Sequence, residues 1–125
     1  MEIKKRKEEP LNILLRKNKG TVFLTIKIGN AQIGGSIVQF TDEDEPFEKG
    51  KIKKLPLGKF NTLNNRTINV ITNVLDSNSA TNKIIVRHQF HYEEEEVEVI
   101  TIEDEVLNHN DILSITTTYQ FKQQA

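Results

Sequence analysis

Residues 21–40 read TVFLTIKIGNAQIGGSIVQF, and this stretch decides the fold. In its first half Val22, Leu24, Ile26 and Ile28 alternate with Thr21, Phe23, Thr25 and Lys27. Successive side chains of an extended chain point to opposite sides, so a period of two marks a half-buried strand. Gly29-Asn30 follows, a pair suited to a two-residue II′ turn because glycine accepts positive φ at the first central position. Residues 31–40 are therefore expected to return as a hairpin partner. Pairing across the turn would set Ile28 against Ala31, Ile26 against Ile33, Leu24 against Gly35 and Val22 against Ile37, with both apolar sets on one face. Gly34-Gly35 interrupts the return and leaves Val38 and Phe40 opposite Ile37, so a bulge or twist that curves the sheet is expected. Approach of a ligand to the bare backbone is the alternative there.

The alternation recurs downstream. Residues 67–75 put Ile68, Val70, Thr72 and Val74 on one side; residues 83–92 do so with Ile84, Val86, His88, Phe90 and Tyr92. Residues 112–121 repeat the pattern with Leu113, Ile115, Thr117, Tyr119 and Phe121, and 97–102 supply another strand. The segments 76–82 and 108–111 consist mainly of turn formers. Residues 52–57 read as a short strand that Pro56 confines to an edge. Residues 11–15 fit a short helix behind Pro10 or a strand; the strand is preferred because 17–20 would then close a hairpin onto 21–28.

Six to eight strands with turn signals between them predict an all-β fold, an antiparallel β-sandwich, with a small β-barrel as the runner-up. Residues 1–9 read as a basic, flexible tail and 10–125 as one sandwich domain. The 125 residues, at 14.4 kDa, leave no room for a second core. The chain has no cysteine, which removes disulfides, thiolate metal sites and a thiol nucleophile.

With 17 basic and 18 acidic side chains the net charge is −1, which argues against polyanion binding by the whole domain. The basic amino end has no aromatic to stack on a base, so no specific nucleic-acid contact is expected. No apolar run approaches the ~20 residues that span a bilayer, so no transmembrane segment is expected. The basic start runs into Glu8, Glu9 and Pro10 with no apolar region behind it, and the chain as given reads as cytoplasmic.

Motifs for chemistry are few. His88 and His91 are three apart, which on a strand sends them to opposite faces, so a core role for His88 is favoured over a shared metal. His109 falls in a turn. No serine stands in a Gly-x-Ser-x-Gly elbow, and no glycine cluster opens a phosphate loop, so a non-enzymatic protein is expected. Calcium is the one cofactor that the acidic loops recommend, with Asp42 and Asp44 in one loop and Asp76, Asn78 and Asn82 in another as candidate ligands. Asn65-Arg66-Thr67 is formally a glycosylation acceptor.

Charge is segregated along the chain. Residues 1–20 hold seven bases and three acids, 42–48 five acids, 49–59 five lysines, and 93–105 eight acids with no base. Patches of opposite sign favour head-to-tail association with another copy, or with a complementary protein. Candidate contact residues are Glu93, Glu94, Glu95 and Glu96 on one side, and Lys51, Lys53 and Lys54 on the other. Lines of like charge also protect a sheet edge, which is the competing reading of 93–96. The leading expectation is thus a structural or adaptor sandwich that acts through protein contacts as a homo-oligomer or in an assembly. The alternative is a sandwich that recognises a lipid headgroup or carbohydrate through calcium held by its acidic loops.

Overall fold

The computed structural model describes residues 1–125. It contains β1 (Ile3–Lys7), β2 (Leu11–Leu15), β3 (Val22–Ile28), β4 (Ile33–Phe40), β5 (Glu48–Gly50) and β6 (Leu55–Gly58). A single helical turn, α1 (Phe60–Leu63), leads into β7 (Thr67–Leu75), β8 (Lys83–His91), β9 (Glu96–Glu105) and β10 (Ile112–Gln123). One sheet has the order β1-β10-β7-β4-β5, with β2 also on β10; the second has the order β6-β3-β8-β9. The two pack face to face without closing, so the fold is a sandwich and not the barrel.

The period-two reading holds where it was clearest. Val22, Leu24 and Ile26 of β3, the even positions 68–74 of β7, the even positions 84–90 of β8, and the odd positions 113–121 of β10 are all buried. They form most of a 23-residue apolar cluster between the sheets. Each large aliphatic side chain so placed contributes about 1.5–3 kcal/mol relative to exposure, enough to hold the layers without a covalent staple.

Residues 1–9 are not a flexible tail. β1 pairs in parallel with β10 from Ile3↔Ile112 to Lys7↔Thr116. After a jog at Glu8–Pro10, β2 takes up the same edge from Leu11↔Tyr119 to Leu15↔Gln123. The charge-rich composition of β1 suits its place, because most of its side chains are exposed at a sheet edge and only its backbone is needed for pairing.

The expected hairpins at 17–20 and 29–32 do not form, because each connection changes sheets. β3 pairs with β6 and β8, whereas β2 lies on β10 and β4 pairs with β5 and β7. The turn at 29–32 has positive φ at both Asn30 (56°) and Ala31 (54°), the I′ arrangement in place of II′. Gln32 then fixes the crossover: its side-chain N–H groups donate to Asp76 Oδ1 (2.8 Å) and the Lys83 carbonyl (3.3 Å), and its oxygen accepts from the Ser77 and Asn78 amides.

With β4 in the other sheet, its inward set is Ser36, Val38 and Phe40, and Ile33 is left 64% exposed. No bulge occurs at Gly34-Gly35, since the register with β7 is continuous from Ile33↔Leu75 to Phe40↔Ile68. Gly34 is needed for close approach instead. A Cβ there would lie 2.3 Å from the Asn73 carbonyl oxygen and 2.8 Å from Ile28 Cδ1 of the facing sheet.

Candidate functional site

The two sheets meet along two margins, and these differ. At one, β1 and β2 face β9. Lys4 Nζ donates to Asp104 (2.8 Å) and to the Glu105 carbonyl (3.0 Å), and Arg6 donates to the Glu103 carbonyl (2.9 Å) while pairing with Asp104 and Glu8. Farther along, Arg16 and Lys19 both pair with Glu95, and the Arg16 amide donates to Tyr92 Oη. Burial alone would raise the Asp104 carboxyl, but hydrogen bonds from Lys4, the Glu105 amide and Arg6 outweigh it and hold the group below its ordinary range. Hydrogen bonding from Lys19 and the charge of Arg16 do the same for Glu95.

At the other margin β4 and β5 face β3 and β6, and cover is incomplete. β5 pairs only with Ser36, Ile37 and Val38, so Ile33, Gly34 and Gly35 have no strand on that side. On β3, β6 reaches only from Val22 to Leu24, and Ile52 accepts from the Ile26 amide (2.9 Å). The Phe47 amide donates to the Val38 carbonyl (2.7 Å), so even positions of β4 turn their peptide groups away from β7. By the same alternation Gly34 of β4, and Ile28 of β3, present their N–H and C=O groups to the gap between the strands.

That gap is a groove of about 510 Å³. Buried Ile26 and Ile52 form its base, Gly34, Gly35 and Gly50 give it bare backbone walls, and Lys27 and Lys51 are exposed along it. Its volume falls in the range that ligand clefts occupy, and its lining mixes apolar surface with a few polar groups.

Ser36, at the groove, begins a buried polar chain across the core. Its hydroxyl shares a hydrogen bond with Thr72 (2.8 Å), Thr72 with His88 Nε2 (3.1 Å), and His88 Nδ1 with Tyr119 Oη (2.7 Å). Burial pushes the His88 pKa down to about 4 and the Tyr119 hydroxyl up. A neutral imidazole, one nitrogen donating and the other accepting, matches a hydroxyl on each side. His88 is thus the core histidine that its strand position implied. Ser36 meets a threonine hydroxyl and no base, so the pair lacks the geometry that activates a serine nucleophile.

The remaining sequence candidates are dispersed or already engaged. Both Asp42 oxygens accept from Arg66 (2.8 and 2.9 Å), which also pairs with Glu43 and lies over the Phe40 ring; Asp44 is exposed in the same loop. Asp76 is fully buried, with Oδ1 on Gln32 and Oδ2 bonded to no protein group. Asn78 and Asn82 donate to the Asn30 and Leu107 carbonyls. The two proposed calcium loops lie at opposite ends of the paired strands β4 and β7, so they cannot share an ion. No three His, Asp or Glu side chains converge as ligands around a single point. His91 is turned away from His88 and shares hydrogen bonds with Thr25 and the Tyr92 carbonyl.

The charge runs also meet within the chain. Glu93 pairs with Lys54 (2.5 Å) and Glu95 with Arg16 and Lys19, whereas Glu94, Glu96, Lys51 and Lys53 make no ion pair. The acidic run is the β8–β9 turn, closed by the Tyr92 amide on the Glu95 carbonyl (2.7 Å), and not an extended edge. Sequence reasoning missed Gln32, Lys27 and Ile33. The signal for Ile33 was present, since Ser36, Val38 and Phe40 define an alternation that excludes it. No protein-family model matches the chain, and no curated protein or solved structure shows significant similarity to it.

Proposed function

We propose that this chain is a non-enzymatic structural or adaptor module that works through protein–protein contacts at its open margin. The observation that carries the reading is the uncovered stretch Ile33–Gly35 of β4 beside the groove. An exposed strand edge offers unpaired donors and acceptors to an incoming chain, and natural sheets normally blunt such edges. Here the opposite margin is blunted and this one is not. A 64% exposed isoleucine on the edge strand adds apolar surface to the contact.

Selection of binders from a displayed random peptide library, followed by amide shift mapping, tests the reading. Recovered peptides are expected to perturb residues 33–35 and 50–52. Failure to recover any binder, or recovery only of peptides that map to the β1–β9 margin, would overturn it.

A further inference from the structure

We infer that the partner at the open margin is a second copy of this chain, docked head to tail, with Glu94, Glu96 and Glu98 of one copy on Lys27, Arg87 and Lys51 of the next. This rests on the reading of the open margin as a protein contact and adds the identity of the partner.

Lys27 of β3 and Arg87 of β8 stand directly opposite one another in the ladder, both exposed. Like charges so placed repel, and a sheet normally avoids them or supplies an acid between them. Neither Lys27 nor Arg87 has an ion-pair partner in the chain, and neither has Lys51, which lines the same groove as Lys27. Several other cations are neutralised within the chain. Lys4 with Arg6, Arg16 with Lys19, and Arg66 each converge on acids of the same chain.

An anion from outside would relieve the repulsion and is the occupant this cluster favours. The chain carries a fitting one. Glu94, Glu96 and Glu98 lie in the turn and at the start of β9, all exposed and free of ion pairs. The register shift at Val97 sets Glu96 and Glu98 on opposite faces of this edge strand, so the three acids surround one end of the molecule with negative charge that three cations can meet. Half-buried Val99 lies beside these acids, and Ile33 is the exposed apolar residue at the groove that can meet it. Acids and cations occupy different places on the molecule, so the contact is heterologous and propagates as an open chain or closes as a ring.

Light scattering during size-exclusion chromatography of the full chain, at low and at high salt, tests the inference with two charge-reversal variants. Lys27→Glu/Arg87→Glu alters only the cationic cluster, and Glu96→Lys/Glu98→Lys only the acidic one. All four positions are exposed, and far-UV circular dichroism verifies that each variant is folded. The wild type is expected to exceed the 14.4 kDa monomer mass at low salt and to approach it as salt rises. Each variant alone should associate at least about a hundredfold more weakly. An equimolar mixture of the two, in which opposite charges again face each other, should recover association. A wild type that is monomeric at low salt, variants that assemble like it, or a mixture that stays monomeric would each overturn the inference. Peptides selected to the open margin would still leave the adaptor reading standing in those cases.

Discussion

Along the margin where β1 and β2 face β9, four cations reach across the sheets to acids and to strand carbonyls; along the margin where β4 faces β3, the strand edges look into a groove lined by unneutralised lysines. Both margins pose the same physical problem, since the outer strands of two stacked sheets leave peptide groups without partners. At the first, long basic side chains cap those groups and hold the sheets together. At the second, cover stops short on both strands. A sandwich of this size therefore has one side devoted to holding itself closed, and its other side is left available for contact.

The core between the margins should give the largest effect. His88 titrates at about 4 in the native protein against 6.5 when unfolded, so between those values the unfolded chain binds a proton that the native chain refuses. Stability is full above 6.5 and falls as pH drops toward 4, by about 3 kcal/mol in all from this group. Urea unfolding across that range measures it, and a His88→Gln variant should flatten the slope. A parallel slope in both proteins would remove His88 as the cause.

Next in size is Gly34 at the open margin, where the β7 backbone and the Ile28 side chain of the facing sheet leave no room for a Cβ. Gly34→Val drives a side chain toward the Asn73 carbonyl and Ile28, and should lower stability by about 2 kcal/mol or more in the same urea assay. If the loss is negligible, the sheets are looser there than their spacing shows.

Lys4→Ala/Arg6→Ala strips the closed margin of its caps. Exposed ion pairs contribute little, so the expected loss is about 1 kcal/mol, shrinking at high salt, with amide exchange accelerating in β1 more than in β7. An equal rise in exchange throughout would mean that β1 does not open independently.

Smallest of all is Ile33→Lys, which should change stability by no more than about 0.5 kcal/mol because the side chain is already in water. Its effect should appear instead as weaker peptide capture at 33–35. Capture that survives the added lysine would relocate the contact.

The inward faces of β3, β7, β8 and β10 were legible in the sequence because burial on one side writes a period of two into the chain. The sheet to which each strand belongs was not. Gly29-Asn30 has the chemistry of a hairpin turn, yet Gln32, reaching Asp76 and the amides of Ser77 and Asn78, carries the chain across to the other layer. That anchor joins residues more than forty positions apart, beyond the reach of local pattern. β1 escaped for the opposite reason: its exposed, lysine-rich side chains carry no burial signal, and only the edge of β10 makes it a strand. At the open margin the lysines were visible, but their lack of acids was not. Which charges neutralise one another depends on strand order, and Lys54 found Glu93 while Lys51 found nothing.

The parallel docking of β1 on β10 has a consequence for the order of events in synthesis. The Glu2 amide is tied to the carboxylate of Asp111, 109 positions away, so β1 has no partner until the segment beyond residue 110 has been synthesised. Closing so wide a span is slow. Until then the basic β1 segment stays unpaired while the intervening strands are laid down around the edge it will fill.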